Sequence, residues 1–117
     1  MSKRNEQLLI ADILESIGKI QRYLKDMSYE TFVNDEKTID AVVRNFEIIG
    51  EAANQMPKTF TKRYPAIPWR DLSDFRNVLI HAYFGVDLQM VWQIFELDLD
   101  TLKEQIITLE KQEWKKA

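Results

Sequence analysis

The residues whose types and spacing could do chemistry lie between Arg76 and Tyr83, in the run RNVLIHAY. His81 is the only histidine of the chain, five positions after Arg76 and two before Tyr83. Histidine can take or give a proton near neutral pH, and arginine offers a rigid fork of donors to phosphate oxygens. Asn77 could orient the imidazole or bond a ribose or phosphate oxygen, and Tyr83 could stack a base or bond a phosphate. This set suits metal-free cleavage of RNA, which needs a base for the 2′-hydroxyl, an acid for the leaving 5′-oxygen and a cation for the phosphorane.

The helical spacing of these residues sets a condition on that chemistry. On an ideal helix His81 lies about 140° around the axis from Arg76, with Asn77 at about 100°. The side chains of Arg76 and His81 therefore meet at one phosphate only if the helix end loosens before Gly85 or a second chain contributes. We favour the second chain, because one histidine cannot be base and acid at once, whereas a two-fold dimer supplies two.

The same helical wheel predicts an interface. Ile80 and Phe84 fall at about 40° and 80° from Arg76, away from the core stripe of the helix. Apolar side chains at such positions are expected to meet another surface, most simply the same face of a second copy. The sequence therefore predicts a homodimer through this face.

Composition limits the class of protein. A chain of 117 residues that is 45% hydrophobic can bury one core, so residues 1–117 are expected to form a single domain. Without cysteine there is no disulfide or thiol chemistry, and no apolar run is long enough for a membrane span, so a cytoplasmic protein is expected. The net charge of −3 argues against nonspecific coating of nucleic acid. No pattern for a metal or a cofactor is found, and none is expected.

Hydrophobic periodicity predicts an all-helical, up-and-down four-helix bundle. The first helix carries an apolar stripe from Leu9 to Met27, and the second, capped by Asn34 or Asp35, ends near Met56. The third runs from about Trp69 to Phe84, before Gly85, and the fourth is capped by Asp87 with a near-heptad stripe from Leu88 to Leu109. Residues 56–70 contain all three prolines and are expected to be irregular, with a possible short helix near 57–64.

These motifs resemble a known family. The spacing of Arg76, His81 and Tyr83 resembles the RX4HXY motif of the HEPN superfamily, and IPWRDLSDFRNVLIHAYFGVD is similar to the HepT toxins of HEPN/MNT toxin–antitoxin systems. The stretch AVVRNFEIIGEAANQMP resembles the second helix of that group. The likeness extends over essentially the whole chain.

The resemblance implies a function and partners. It implies a type VII-like toxin that cuts transfer RNA or messenger RNA as a metal-independent endonuclease, with Arg76 and His81 catalytic in the cleft of a homodimer and Asn77 supporting them. It also implies that Tyr83 is AMPylated from ATP by the cognate antitoxin, a minimal nucleotidyltransferase. The added bulk and negative charge would block a phosphate substrate.

Two other functions remain open from the sequence. The chain could be a noncatalytic module of the same fold that binds nucleotide or RNA and regulates a partner nucleotidyltransferase. It could also be a purely structural helical dimer. In that case His81 would be a surface residue at a helix end, and Arg76 would pair with an acid such as Asp71 or Asp74.

Two other regions carry polar residues with more than one interpretation. The segment after Met56 holds Lys58, Lys62, Arg63 and Arg70 among aromatic residues, which predicts either a path for RNA or a solvated loop whose aromatics cover the end of the bundle. Glu51 is expected to be a buried polar anchor to Arg44 or to the third helix, and Gly50 to permit close helix approach.

Overall fold

The computed structural model describes residues 4–82 and 85–115. Within these ranges the chain forms helices and no strand. The helices are α1 (Glu6–Leu24), α2 (Tyr29–Val33), α3 (Glu36–Gln55), α4 (Lys58–Thr61), α5 (Trp69–Ile80), α6 (Leu88–Leu97) and α7 (Leu99–Trp114). The predicted all-helical class is confirmed, but the described residues form seven helices where four long helices and one possible short one were predicted.

Side-chain caps begin several of the helices. Asn5, Ser28, Asp35 and Asp87 each accept a hydrogen bond from a backbone N–H three residues later, at the starts of α1, α2, α3 and α6. Such bonds satisfy donors that the first turn of a helix leaves without a partner. The predicted caps at Asp35 and Asp87 are therefore confirmed.

The core lies between α3 and its two main neighbours, α1 and α5. α7 packs against α1 and α6. The predicted stripes of the first, second and fourth helices supply most of the buried side chains, among them Leu9, Ile13, Ile17, Ile20, Leu24, Val42, Phe46, Ile49, Leu99, Leu102, Ile106 and Leu109. No helix within residues 4–82 and 85–115 is long and apolar enough to cross a membrane.

The predicted fourth helix is in fact two helices that meet at Asp98. The backbone of Asp98 departs from helical geometry, with φ −118°. On one side of the break, Trp92 of α6 packs against Phe32 and Tyr29 of α2, with ring centroids 5.5 and 5.8 Å away. On the other side α7 packs on α1. A single straight helix would carry the apolar side chains of both halves along one line. The break at Asp98 lets those of α6 face α2 and those of α7 face α1.

The ends of two other predicted segments also differ from the structure. No helix was predicted between Met27 and Asn34, but α2 lies there and buries Phe32. The third helix, predicted to reach Phe84, ends at Ile80, with His81 as its C-terminal cap residue. The prediction that Gly85 ends this helix is therefore wrong. Gly85 has φ +112°, in the left-handed region that favours glycine, within the segment that follows the helix.

Candidate active site

Arg76 lies on the face of α5 that contacts α3. Its side chain is 28% exposed, and Nη2 lies 2.8 Å from Oε2 of Glu51. This Oε2 is shielded from solvent and has no well-aligned donor, so its contact with Arg76 is ionic and lies off the N–H direction. The sequence-based alternative in which Arg76 pairs with an acid is met in the structure, but the acid is Glu51, and Asp74 instead lies 3.8 Å from Arg70.

Glu51 connects α3 to α5, so the predicted anchor to the third helix is confirmed, but its side chain is 42% exposed and not buried as predicted. Arg44, the other predicted partner, instead pairs with Glu47 at 3.7 Å. The second oxygen of Glu51, Oε1, accepts a hydrogen bond of 3.0 Å from Nε2 of Gln55 one turn later. The carboxylate is thus held from its own helix while it contacts the guanidinium.

Gly50 lets the two helices approach closely at this point, as predicted. A Cβ at Gly50 would meet the side chain of Arg76 and the carbonyl oxygen of Leu72 on α5. Because glycine lacks that atom, the stem of Arg76 can lie directly on α3. The position of Arg76 is therefore set by the packing of two helices.

Asn77 is exposed and acts on Arg76. Its Oδ1 accepts a hydrogen bond of 2.8 Å from Nη1 of Arg76. The sequence suggested that Asn77 orients the imidazole or bonds the substrate, and this contact adds a third role. The two terminal nitrogens of the guanidinium are thus contacted by an amide oxygen and a carboxylate.

His81 is exposed at the carboxyl end of α5. Its backbone N–H still bonds to the carbonyl of Asn77 at 3.2 Å, so the helical spacing persists up to His81 itself. On the backbone, Arg76 and His81 therefore keep the helical spacing of about 140° around the axis of α5. His81 lines a cavity of about 360 Å³ together with Phe75, Val78, Leu79, Ala82, Gly85, Val86, Asp87 and Met90, a set that does not include Arg76.

Apolar side chains near His81 face solvent. Val78 is 56% exposed, Met90 42% and Ile80 40%. The predicted outward position of Ile80 is confirmed, and Val78 and Met90 extend the apolar surface beyond what the helical wheel indicated. Phe84 and Tyr83, the predicted modification site, lie outside the described residues.

The basic segment after Met56 is organised by aromatic packing. Phe60 and Trp69 are buried, and Phe60 stacks on Trp114 of α7 with ring centroids 6.0 Å apart. The guanidinium of Arg63 lies 5.1 Å from the Phe60 ring centroid. The sequence-based alternative in which these aromatics cover the end of the bundle is thus favoured for this part of the segment.

Glu113 joins the same cluster to the carboxyl end of α7. It accepts hydrogen bonds from Nη2 of Arg63 at 2.7 Å and from the hydroxyl of Tyr64 at 2.6 Å. Burial, together with the hydrogen bond and the negative charge of Glu113, raises the pKa of Tyr64. Arg63 is therefore used in a structural contact, whereas Lys58 and Lys62 are exposed.

No group of three or more His, Cys, Asp or Glu residues that could hold a metal ion occurs in the part of the chain that the structure describes.

Comparison with known proteins places the chain in a family. A family model described as ribonuclease HepT-like matches residues 13–109. The chain is 40% identical over 109 residues to a protein of Thermococcus cleftensis named "Probable ribonuclease HepT", covering 93% of this chain and 99% of that one. It is 38% identical over 106 residues to the Methanocaldococcus jannaschii protein "Putative RNase MJ1380", covering 91% and 97%. No solved structure is significantly similar to the chain. With a match that spans most of its length, the chain belongs to the HepT-like ribonuclease family, within the HEPN superfamily.

Proposed function

We propose that this chain is a metal-independent RNA endonuclease and the cytoplasmic toxin of a type VII-like HEPN/MNT toxin–antitoxin system. The observation that carries the proposal concerns Arg76, whose guanidinium is contacted by Glu51 and Asn77 while the side chain as a whole remains 28% exposed. A fixed, accessible guanidinium is suited to bind the phosphate oxygens of a substrate. The family relationship supports RNA as that substrate.

In the proposed reaction the 2′-oxygen of a ribose attacks the adjacent phosphorus. A new bond forms between phosphorus and the 2′-oxygen, and the bond to the 5′-oxygen breaks, which leaves a 2′,3′-cyclic phosphate and a free 5′-hydroxyl. One His81 takes the proton from the 2′-hydroxyl, and a second His81 gives a proton to the 5′-oxygen. Arg76 stabilises the charge on the phosphorane.

The second histidine comes from a second copy of the chain. The cavity at His81 does not include Arg76, and helical geometry keeps the two on different sides of α5. The exposed Val78, Ile80 and Met90 supply an apolar surface that a two-fold partner would cover. In this dimer the long helices of each copy form an up-and-down bundle. Arg76 of one chain and His81 of the other share a cleft.

Regulation is proposed at Tyr83. The cognate nucleotidyltransferase joins the tyrosine oxygen to the α-phosphorus of ATP and releases pyrophosphate. The AMP group adds negative charge two residues from His81, where it would repel the RNA backbone. Transfer RNA and messenger RNA are the proposed substrates.

The test is cleavage of cellular RNA in EDTA by the purified protein, with mass spectrometry used to establish that Tyr83 is unmodified. We expect the wild type and Gln93→Ala, a control at an exposed position of α6, to cleave equally, and His81→Ala to lose activity at matched oligomeric state. Equal activity in His81→Ala would contradict the proposed role of the histidine. If the unmodified wild type binds RNA without cleaving it, the chain is the noncatalytic binding module.

A further inference from the structure

Glu51 is the residue outside the arginine–histidine motif that contacts Arg76 from a different helix. Its Oε2 lies 2.8 Å from Nη2 of Arg76, and its Oε1 is bonded to Gln55. Arg76 is also bonded to Asn77 through Nη1. A planar guanidinium that is contacted at both terminal nitrogens from two directions has little freedom to rotate.

The backbone explains why a glutamate reaches this position. Gly50 brings α3 against the stem of Arg76, and the next residue, Glu51, then projects beside the guanidinium. The hydrogen bond from Gln55 limits the motion of the carboxylate on α3. The guanidinium has five N–H donors, so these contacts leave others for a phosphate.

We propose that Glu51 is a positioning residue that holds the guanidinium of Arg76 in the orientation that binds the scissile phosphate. The inference rests on the proposed ribonuclease function and deepens it. Glu51 acts through Arg76 and does not touch the substrate. The negative charge of Glu51 weakens the attraction of Arg76 for a phosphate, but the gain from a correctly oriented guanidinium outweighs this loss.

The partial exposure of the pair makes the role separable from stability. Although Oε2 of Glu51 is shielded, the side chains as a whole are 28% and 42% exposed, and partly exposed ion pairs contribute little to the free energy of folding. Glu47 lies on α3 one turn before Glu51 and pairs with Arg44 of the same helix at 3.7 Å, so it provides a control carboxylate that does not contact Arg76. Removing either charge should therefore have a similarly small effect on folding.

The first test is kinetic and compares Glu51→Gln with Glu47→Gln in EDTA. We expect Glu51→Gln to lower kcat/KM about tenfold or more, since small misplacements of a catalytic group cost that much. Glu47→Gln should match the wild type. In an Arg76→Lys background, which keeps the charge but loses the planar fork, Glu51→Gln should have less than about a twofold further effect. An increase in cleavage by Glu51→Gln, or a full tenfold loss in the lysine background, would overturn the proposal.

The second test does not depend on catalysis. Nitrogen-15 NMR relaxation of arginine side chains reports how ordered the Nε–H group of Arg76 is, with Arg70 as an internal reference because its side chain is 93% exposed. We expect Arg76 to be ordered in the wild type and in Glu47→Gln, and to approach the mobility of Arg70 in Glu51→Gln. Unchanged order of Arg76 in Glu51→Gln would overturn the proposal. If the wild type fails to cleave RNA, the ribonuclease function fails while the relaxation data still decide whether Glu51 positions Arg76.

Discussion

The side chain of Arg76 lies directly on the α-carbon of Gly50. A Cβ built at Gly50 would be 2.2 Å from the Cβ of Arg76 and 2.6 Å from the carbonyl oxygen of Leu72. Neither neighbour is the far end of a flexible side chain, so neither can move aside without moving α5. The place of the proposed phosphate-binding group is therefore determined by one missing methyl group on another helix.

Gly50→Ala is expected to destabilise the protein and to displace Arg76. Alanine in a helix is favoured over glycine by up to about 1 kcal/mol, but overpacking a close contact costs about 1–3 kcal/mol. The clash is severe, so we expect the overpacking cost to exceed the helix gain, with a net loss of about 1–2 kcal/mol. Urea unfolding measures the loss, and RNA cleavage per folded molecule should fall with it.

Gly18→Ala is the matched control for this substitution. A Cβ at Gly18 of α1 would have Nη1 of Arg22 as its nearest neighbour at 3.4 Å, the flexible end of a side chain. We expect Gly18→Ala to raise stability by up to about 1 kcal/mol and to leave cleavage unchanged. Equal effects of the two substitutions would contradict the steric argument.

Glu113→Ala is expected to destabilise the protein while leaving cleavage per folded molecule unchanged. The substitution removes the hydrogen bonds from Arg63 and Tyr64, for a loss of about 1–2 kcal/mol. Glu110 lies on α7 like Glu113 and pairs with Lys115 at the end of this helix. Glu110→Ala should lower the free energy of unfolding by less than about 0.5 kcal/mol. A drop in cleavage beyond the unfolded fraction would place this cluster in the active site.

Asp35 is expected to make the start of α3 sensitive to acid. Hydrogen bonds from the side chain and backbone of Thr38, with a smaller effect of Lys37, lower the pKa of Asp35 from 3.8. Because the folded pKa is depressed, the stabilising contribution is present above pH 3.8 and is lost as pH falls through the folded value. The melting temperature of Asp35→Ala should lie a few degrees below that of the wild type at neutral pH, and the gap should narrow at acid pH.

Asp35→Asn separates the cap from its charge. Asparagine caps helices about as well as aspartate, so the melting temperature of this variant should stay close to that of the wild type at neutral pH. It should not show the loss of stability that protonation of Asp35 causes in the wild type. If the melting temperatures of the wild type and Asp35→Ala differ by the same amount at every pH, the lowered pKa of Asp35 is contradicted.

Lys58 and Lys62 are the residues of the basic segment expected to act on RNA. Arg63 is paired with Glu113, and Arg70 lies 3.8 Å from Asp74, whereas both lysines are exposed. Lys58→Gln with Lys62→Gln should weaken binding of single-stranded RNA and reduce the slope of log affinity against log salt by about 0.7 for each phosphate that a lysine no longer neutralises. Unchanged binding and salt slope would show that RNA does not follow this segment.

Local sequence was sufficient where the physical signal is local. The stripe of α1 and the Asp35 cap of α3 follow from helical spacing and from side-chain bonds within one turn, and both were predicted. The candidate residues at Arg76, Asn77 and His81 came from side-chain chemistry and a motif that spans six positions. The family was also predicted from local sequence, through this motif together with the stretches IPWRDLSDFRNVLIHAYFGVD and AVVRNFEIIGEAANQMP, and the family model that matches residues 13–109 confirms it.

Tertiary contacts determined the features that the sequence left open or predicted wrongly. The near-heptad stripe of the fourth segment does not reveal that Trp92 packs on α2 while the following turns pack on α1, so the break at Asp98 was missed. The end of α5 at Ile80 was also missed, because Gly85 appeared to be the stop signal.

Two contacts between residues far apart in sequence, Glu113 with Tyr64 and Glu51 with Arg76, also depend on tertiary structure. Local sequence carries no sign of the contact between Glu113 and Tyr64, because the two residues are 49 positions apart. Glu51 and Arg76 are 25 positions apart, and only the close approach of α3 and α5 at Gly50 brings their charges to 2.8 Å. By itself the sequence predicted which residues would do the proposed chemistry, since that prediction depends on side-chain type and helical spacing. Tertiary structure decided how Arg76 is held, since that depends on how closely two helices pack.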